Sequence, residues 1–381
     1  MAYRNPITLL TIKGFKSIRD LRELELTNLN VLIGANGVGK SNFVSYFKML
    51  GEMMDQRLQV WTKKQGGADR ILTYGIKVTT QLETFVRFGC KGYEVFLEPT
   101  VDGGFTFYGE SLLSDDHKNK ENWISLGGWH SESLLIKKKT EQTSSGNVAD
   151  FCYRTISSWK VFHFRDTSDT AGVKRLCSVH DNEYLRSDAE NLAAFLYLLR
   201  EKYPDHYNKI RKTVRLAIPF FNDFVLKPQA LPSGEEQIRL LWKPLYNDHA
   251  QWSQRESDYA LWPSQLSDGS IRFICLATAL LQPNPPSTIV IDEPELGLHP
   301  YAITLLGALM RSNSKRMQIV VSTQSVPLLN QFSIDDLIVV EREENASVFK
   351  RLNEHDFKEW LEDYSIGELW EKNVLGGRPG K

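Results

Sequence analysis

The stretch Gly34-Ala-Asn-Gly-Val-Gly-Lys-Ser41 decides the fold predicted for this chain. It matches the pattern G-x-x-x-x-G-K-[S/T], whose glycines let successive backbone N–H groups turn inward around phosphate oxygens. The apolar run 29–33 precedes it and predicts a buried strand. Behind it, apolar residues recur every three to four positions from Phe43 to Met54, which predicts a helix. Strand, glycine turn and helix together predict a phosphate-binding loop.

Each part of this loop has a predicted role toward a nucleoside triphosphate. The lysine ammonium of Lys40 contacts the β- and γ-phosphates, and the hydroxyl of Ser41 ligates magnesium. The positive end of the following helix adds to the attraction for phosphate. We therefore predict ATP and Mg²⁺ as cofactors. The predicted nucleotide-binding residues are Gly34, Asn36, Gly37, Val38, Gly39, Lys40, Ser41 and Asn42.

A second strand, 288–291, ends in the carboxylate pair Asp292 and Glu293. In P-loop folds the first carboxylate holds magnesium through water, and the second polarises the attacking water. We therefore predict that Asp292 holds magnesium and that Glu293 is the catalytic residue that polarises the water. Asp292 lies 252 positions after Lys40. Such a gap predicts that a large insertion splits the core of the domain.

Composition sets limits on the class of protein. The chain has 381 residues, of which 41 % are hydrophobic and 24 % charged, so it can form a core. Its net charge of −1 excludes a strongly basic surface over the whole chain, although local patches stay possible. Apolar signal cores and membrane-length apolar runs are not found, so we expect a cytoplasmic protein without a membrane partner. The scattered cysteines, expected to be reduced, are Cys90, Cys152, Cys177 and Cys275.

The fold predicted from these patterns is α/β. It has a split P-loop core with a mixed sheet, a small antiparallel β lobe and a helical insertion. We expect strands in 76–108, including one at 76–80, and another at 237–243. The polar stretch 112–147 is expected to be a long loop or an insertion. The predicted segments are 1–75, the first half of the core; 76–180, the antiparallel lobe; 181–260, the helical insertion; and 261–381, the second half of the core.

Three further stretches carry a family likeness. Leu266-Ser-Asp-Gly269 precedes a predicted helix, which is followed by Ile289-Val-Ile-Asp-Glu-Pro-Glu-Leu-Gly-Leu-His-Pro300. With Leu10-Thr-Ile-Lys-Gly-Phe-Lys-Ser-Ile18, this order resembles the RecF/SMC-like branch of the ABC-class ATPases. It is most similar to the short bacterial ATPases related to the overcoming-lysogenisation-defect proteins. The likeness covers 7–52 and 262–341 well and the middle weakly.

The resemblance implies a homodimer in which two heads sandwich two ATP molecules, with assembly beyond a dimer left open. The signature of one head would then cap the γ-phosphate bound to the other. Carried over, Ser267 donates to that phosphate and Gly269 lets the backbone approach it. In the switch segment 320–325, Gln324 stands where many relatives have histidine. An amide can bond a phosphate but cannot become cationic, so we predict a catalytic contact from Gln324 and slow hydrolysis.

Two more positions depart from the family pattern. Transport cassettes usually have glycine where this signature has Asp268, and an acid beside a phosphate adds repulsion. Asp268 is therefore expected either to slow turnover or to point away. The family's magnesium-contact glutamine has no clear equivalent. The end of the strand predicted at 159–164 offers His163, Arg165 and Asp166 instead, each of which is more often a packing or surface residue.

Weaker candidates are basic or lie near the motifs. His299 is expected near the dimer interface, and Lys13 and Lys16 within reach of the nucleotide. Two basic clusters suit contact with a nucleic-acid backbone, although a run of charge is more often a solvated face. The clusters are Lys137 to Lys139, and Lys209 with Arg211, Lys212 and Arg215.

Three functions fit the sequence. The first is an ATP-gated dimeric clamp in DNA maintenance or anti-phage defence, beside an effector such as a nuclease. The second is the ATPase subunit of a membrane transporter, which shares the motif order but not the N-terminal stretch or the Asp268 signature. The third is a nucleotide-sensing scaffold with negligible hydrolysis, which Gln324 and Asp268 favour.

Overall fold

A computed structural model describes residues 5–116, 120–164, 166–245 and 260–377. The chain divides into two compact units. The first unit contains the residues up to Val161, Pro286–Asp292 and the residues from Ser314 onward, and the second contains Phe162–Pro285 and Glu293–Asn313. The four-segment division predicted from the sequence stays a prediction.

Strands and helices are numbered in chain order. The strands are β1 Leu9–Phe15, β2 Ile18–Glu25, β3 Leu29–Ile33, β4 Leu82–Phe88, β5 Lys91–Pro99, β6 Phe105–Asp116, β7 Lys120–Gly127, β8 Lys160–Phe162, β9 Cys177–Ser178, β10 Phe221–Val225, β11 Gln229–Ala230, β12 Glu236–Ile238, β13 Leu241–Pro244, β14 Thr288–Asp292, β15 Gln318–Ser322, β16 Leu337–Glu343 and β17 Ala346–Arg351. The helices are α1 Lys40–Met54, α2 Leu58–Lys64, α3 Ala68–Ile71, α4 Leu135–Lys138, α5 Ser144–Ser157, α6 Leu192–Lys202, α7 Pro204–Ala217, α8 Asp268–Leu281, α9 Pro300–Asn313, α10 Val326–Leu329, α11 Lys358–Asp363 and α12 Ile366–Glu371.

The central sheet of the first unit has the strand order β17-β16-β3-β15-β14-β8. β3 pairs in parallel with β16 and β15, β15 pairs in parallel with β14, and β17 closes one side antiparallel to β16. Every residue of β3, β14 and β15 is buried, as expected for parallel strands covered on both faces. The carboxyl ends of β3, β14 and β15 therefore meet at one edge of the sheet, and the predicted mixed sheet is confirmed.

A second sheet in this unit is antiparallel throughout, with the order β2-β1-β4-β5-β6-β7. The prediction of a long loop at 112–147 is wrong. β6 continues to Asp116 because Leu112 and Leu113 are fully buried, and β7 pairs with it. Further along, α5 buries Val148, Ala149, Cys152 and Ile156 at helical spacing, although the surrounding sequence is polar.

Two strand predictions are also wrong. Residues 76–80 form no strand; 76–78 lie in a turn, in which the amide of Val78 donates to the carbonyl of Gly75 at 3.1 Å. Val78 is 66 % exposed, so this β-forming sequence has no sheet face to cover. Residues 237–243 belong to two strands rather than one. β12 pairs with β11 and β9, whereas β13 pairs with β10.

Gln318, at the start of β15, ties the N-terminal segment to the central sheet. Its side-chain oxygen accepts from the amide of Ile7 at 2.9 Å and from the hydroxyl of Thr288 at 3.2 Å. Its amide nitrogen donates to the carbonyls of Ile7 and Thr27, both at 2.8 Å. The side chain is fully buried and uses both ends of its amide, so this polar group stabilises the core rather than weakening it.

The second unit is mainly helical, with α6, α7, α8 and α9 and two small sheets, β10-β13 and β11-β12-β9. α8 is buried along almost its whole length, while α7 buries only Tyr207, Ile210 and Val214. Across the described ranges, no helix combines the length and the apolar character needed to cross a bilayer.

Candidate functional site

The loop between β3 and α1 has the conformation expected of a phosphate cradle. Gly34, Gly37 and Gly39 all have positive φ, at 152°, 79° and 115°. At Gly39 a side chain is excluded twice over, because its φ is left-handed and a Cβ would collide with the hydroxyl of Ser347. The glycines that the motif requires are therefore required by this backbone as well.

Lys40, the first residue of α1, is buried and folded back over the loop. Its ammonium donates to the carbonyls of Gly34 at 2.6 Å and Ala35 at 2.8 Å. Only 5 % of the residue is exposed, so the charge lies inside the curve of the loop. This position suits a cation that binds phosphate oxygens in the same curve.

β17 braces the loop from the side. The hydroxyl of Ser347 donates to the carbonyl of Val38 at 2.6 Å and shares a hydrogen bond of 2.6 Å with the hydroxyl of Ser17. Asn42, in the first turn of α1, donates to Ser17 at 2.7 Å. Asn42 thus helps to fix the loop. The sequence predicted a nucleotide contact for Asn42 but not this structural role. Sequence reasoning missed Ser347, which lies 309 residues from Val38.

The end of β14 brings the predicted magnesium carboxylate to this loop. The hydroxyl of Ser41 donates to Asp292 at 3.3 Å, across 251 residues of sequence. The other carboxylate oxygen of Asp292 accepts from Ser322, the last residue of β15. Asp292 is only 6 % exposed, so two serine hydroxyls hold a nearly buried carboxylate. Ser322 is a second residue that the sequence did not single out.

Gln324 lies two residues beyond β15, next to the same loop. Its amide nitrogen donates to the side-chain oxygen of Asn36. The backbone leading to it is fixed, because the amide of Thr323 donates to the carbonyl of Leu32 at 3.0 Å. The structure therefore brings Gln324, Asn36, Ser41 and Asp292 together at one edge of the central sheet.

These residues fit a magnesium-bound triphosphate. Magnesium is usually held by one or two carboxylates together with substrate phosphates, which matches Asp292, and P-loop proteins add the hydroxyl of a loop residue such as Ser41. Within the ranges that the structure describes, no three His, Cys, Asp or Glu side chains cluster as a metal cage. Phosphate oxygens and water are the usual further ligands of magnesium, and the N–H groups of the loop and Lys40 are donors suited to phosphate.

Glu293 follows Asp292 directly and begins the next part of the second unit. Its φ of 49° is left-handed, which is uncommon for a residue with a side chain. The catalytic role predicted for Glu293 stays a prediction.

The signature segment is built entirely within the second unit. Ser267 caps α8, since its hydroxyl accepts from the amide of Ser270 at 3.2 Å. α8 therefore starts at Asp268, directly after this cap and within the signature itself. A Cβ on Gly269 would overlap the carbonyl of Gly297, so glycine is needed for this close approach. The signature is packed against the segment that follows Glu293.

Arg272 fixes that packing. Its guanidinium donates to the carbonyl of Phe164 at 2.7 Å and also to the carbonyl of Leu296. The residue is only 9 % exposed. Arg272 thus joins the signature helix to two flanking segments, a role that neither its type nor its spacing revealed.

A pocket of about 120 Å³ opens beside the signature. Ser267, Gly269 and Ser270 line one side of it, and Gly297 and His299 another. The ring of His299 lies at the start of α9, where its Nδ1 accepts from the amide of Tyr301 at 3.2 Å. The placement of His299 at the dimer interface stays a prediction.

Asp268 is largely exposed, with 67 % of its side chain accessible to solvent. It is not alone, because the ammonium of Lys174 lies 3.9 Å from its carboxylate. Lys174 is 3.5 Å from Asp169 as well, and only 8 % of its side chain is exposed. The sequence indicated the acid but not this buried cation.

The remaining basic candidates have partners within the chain. Lys16 donates to the hydroxyl of Ser45 at 2.7 Å, and its burial, with the nearby charge of Lys48, lowers its pKa. Lys13 forms an ion pair of 2.7 Å with Glu83. Lys16 also lines a pocket beside Asn42, whereas Lys13 is not among the residues lining it.

Both basic clusters are partly neutralised. Lys138 pairs with Glu141 at 2.7 Å, and Lys139 lies over the ring of Tyr153. On α7, Arg211 pairs with Asp223 at 2.9 Å, which leaves Lys209 and Lys212 on the exposed face. Contact of either cluster with a nucleic-acid backbone stays a prediction.

The residues offered in place of the missing glutamine lie after β8. The amide of His163 donates to the carbonyl of Ser187 at 3.1 Å. The hydroxyl and amide of Ser168 donate to Asp166 and lower the pKa of its carboxyl. Arg165 lies outside the described residues. His163 and Asp166 are thus tied to neighbouring segments of the second unit, and a contact of either with the nucleotide or its metal stays a prediction.

Known proteins share sequence or structure with this chain. Residues 167–330 match the family described as AAA domain, putative AbiEii toxin, type IV TA system. One similar solved structure is an SMC head bound to the C-terminal winged-helix domain of ScpA, with a TM-score of 0.57 and 14 % identity over 92 % of this chain and 99 % of that chain. The chain has the fold of an SMC head domain. The SMC-like fold that the motif resemblance implies is confirmed, and the family match is limited to 167–330.

A second SMC head supports the same fold assignment. It carries an extended coiled coil and is bound to the C-terminal domain of ScpA from Pyrococcus furiosus. Its TM-score is 0.54 with 14 % identity over 94 % of this chain and 98 % of that chain. No curated protein sequence matches the chain.

Proposed function

We propose that this SMC-head-like chain binds ATP and Mg²⁺ on the β3–α1 loop and hydrolyses the ATP slowly. The observation that carries the proposal is the contact between Ser41 and Asp292 at 3.3 Å. These are the two ligand types that P-loop proteins supply to magnesium, and the fold joins them although 251 residues separate them. A glycine-rich turn without a function would not be expected to lie beside a buried carboxylate.

The residues around the loop divide the task. Lys40 and the N–H groups of the loop bind and neutralise phosphate oxygens, while Ser41 and Asp292 are the protein ligands for magnesium, Asp292 through water. The metal, when bound, offsets the charge on the phosphates. Glu293 orients and polarises the attacking water. Gln324 donates an amide hydrogen bond and stays neutral, so it adds no positive charge to the transition state, which accounts for slow turnover.

The working unit in this proposal is a homodimer. ATP on the loop of one copy meets Ser267 and the start of α8 of the other copy, so the triphosphate joins the two chains. A ligand shifts an equilibrium only by its differential affinity for the two states. The contact between signature and phosphate therefore supplies the free energy of closure, and hydrolysis releases it.

Steady-state hydrolysis by the wild type, Lys40→Ala and Glu293→Gln tests the first part. We expect turnover of the wild type to exceed that of both variants, by roughly a hundredfold. Lys40→Ala removes a cation that stabilises phosphate charge, and Glu293→Gln removes the base that polarises the attacking water. The exposed Lys209→Ala is the matched lysine control and should leave turnover unchanged. Wild-type turnover equal to that of Lys40→Ala would rule out hydrolysis at this loop.

Light scattering of Glu293→Gln with and without Mg·ATP tests the dimer. Binding without hydrolysis should hold the closed form, so the mass should double when ATP is added. Adding Ser267→Arg to this variant should abolish the change, because the new side chain occupies the phosphate contact. A mass that does not respond to ATP in Glu293→Gln contradicts the clamp.

The biological role proposed is DNA maintenance or anti-phage defence beside an effector such as a nuclease. The family description, which names a putative toxin of a type IV toxin–antitoxin system, supports the defence role. The SMC heads of similar fold are bound to ScpA, which supports a protein partner. Plating of phages on cells that express the wild type or Lys40→Ala with the neighbouring genes tests this, and equal plating would exclude ATP-dependent defence.

A nucleotide-sensing scaffold is the second candidate. The hydrogen bond between Gln324 and Asn36 favours it, because a neutral amide occupies the position beside the loop. A scaffold would bind Mg·ATP and dimerise, but its turnover would equal that of Lys40→Ala. Binding and hydrolysis measured on the same samples separate the two candidates.

A further inference from the structure

Lys174 is a buried cation beside the signature for which the nucleotide loop gives no explanation. Its side chain is 8 % exposed, yet among the residues that the structure describes its ammonium has only carboxylates at ion-pair distance, 3.5 Å to Asp169 and 3.9 Å to Asp268. Both distances exceed those of a good charge-assisted hydrogen bond. An ammonium with three donors in this position has capacity for a further acceptor.

The carboxylate partners of Lys174 differ from it in exposure. Asp169 is 92 % exposed and Asp268 67 % exposed, so water solvates both acids. The buried partner is the cation. Burying a charge costs free energy unless a partner compensates it. If Lys174 served only to pair with exposed acids, the side chain would be more stable in solvent, where both acids lie. The burial of Lys174 therefore indicates a fixed position rather than a surface ion pair.

That fixed position lies next to the start of α8. Asp268 is the first residue of the helix, and Ser267 is its cap. Asp166 and Arg175 belong to the same charge cluster, and their formal charges cancel. Without Lys174, the uncompensated charges would be those of Asp169 and Asp268, which would repel an anion at the helix start. With Lys174 the net charge of the three side chains is −1 rather than −2, and the positive end of the helix acts together with it.

We propose that Lys174 is a positioning residue that neutralises Asp268, so that the signature accepts the γ-phosphate of a nucleotide bound to a second copy. This inference rests on the proposed function. It explains how a signature with aspartate in place of glycine can still contact an anion. Lys174 acts through Asp268 and through the local charge, and it need not touch the nucleotide.

The test compares Lys174→Met, Asp268→Asn and the double variant with the wild type. One unit of charge at about 6 Å, with an effective dielectric constant of about 40, changes an equilibrium about tenfold. We expect Lys174→Met to lower kcat/KM for Mg·ATP about tenfold and Asp268→Asn to raise it by a similar or smaller factor. The double variant should return to within about threefold of the wild type, because the local charge is again −1.

Two readouts separate charge from structure. Binding of a fluorescent ATP to the loop of the monomer should be unchanged in every variant, since the change lies at the signature. The deficit of Lys174→Met should shrink as salt rises from about 0.05 to 0.5 M, because salt screens exposed charges. A merely structural lysine would instead lower the melting temperature and give a deficit that neither salt nor Asp268→Asn repairs.

The controls distinguish failure of this inference from failure of the proposed function. Lys227→Met removes an exposed lysine of the same unit and should behave as the wild type. If the wild type turns over no faster than Lys40→Ala, ATP-dependent association in the Glu293→Gln background replaces kcat/KM as the readout. Loss of both signals overturns the proposed function. If the wild type is active but Lys174→Met has turnover or association within twofold of it, only the role of Lys174 is overturned.

Discussion

The brace on the phosphate loop predicts a specific effect of Ser347→Ala. This change removes the hydroxyl that donates to the carbonyl of Val38 at 2.6 Å and shares a hydrogen bond of 2.6 Å with Ser17. Each bond contributes about 1 kcal/mol net, so the folded loop loses about 2 kcal/mol. If the whole loss falls on the shape of the loop that binds phosphate, affinity for Mg·ATP drops about thirtyfold.

The assay is equilibrium titration with a fluorescent ATP analogue, together with thermal unfolding of the nucleotide-free chain. Val348→Ala is the matched control, since it lies next on the same strand with its side chain exposed. We expect weaker binding for Ser347→Ala and unchanged binding for Val348→Ala. Affinity of Ser347→Ala within twofold of the wild type would refute the reasoning. A lower melting temperature with unchanged affinity would assign the two bonds to the fold and not to the loop.

Three further predictions concern other parts of the molecule. Gly39→Ala should weaken Mg·ATP binding tenfold to a hundredfold, because strain of about 1–3 kcal/mol is added to a collision with Ser347; binding within threefold of the wild type would contradict it. Gln324→His should raise turnover a few-fold below about pH 6.5, where imidazole is cationic, and less above it; a pH profile parallel to that of the wild type would count against a role for this position. Glu110, fully buried in the antiparallel sheet, accepts from Tyr93 and Ser133, both at 2.6 Å; Glu110→Gln should cost about 2 kcal/mol of stability but leave ATP affinity unchanged, and an unaltered melting temperature would contradict this.

The parts of the fold that could be predicted are those whose sequence pattern lies within one short stretch of the chain. The loop from Gly34 to Ser41 needs a strand before it and a helix after it, and both are visible in the apolar spacing. Strand β14 with Asp292 is recognisable for the same reason. The signature could be recognised only from the order of several motifs. That Ser267 caps α8 was not predicted and is a finding of the structure.

The errors have a different physical origin. Polar residues between 112 and 147 suggested a loop, but β6, β7 and α5 each need only one buried face, and the opposite faces are free to be polar. Residues 76–80 suggested a strand because they are β-formers. Strand formation depends on a partner and a covered face, and Val78 has neither.

The residues that were missed act over long distances in sequence. Ser347 contacts Val38 across 309 residues, and Ser322 reaches Asp292 across 30. Serine and lysine are common on protein surfaces, so nothing in their type marks Ser347, Ser322 or Lys174. Only the order of strands in the central sheet and the packing around α8 identify them.

A crystal structure with a non-hydrolysable ATP analogue and Mn²⁺ in place of Mg²⁺ tests the central claim most directly. The account predicts triphosphate density within the curve from Gly34 to Ser41 and an anomalous peak at coordination distance from the hydroxyl of Ser41, beside Asp292. Metal and phosphates bound elsewhere, or a manganese peak remote from Asp292, would contradict it.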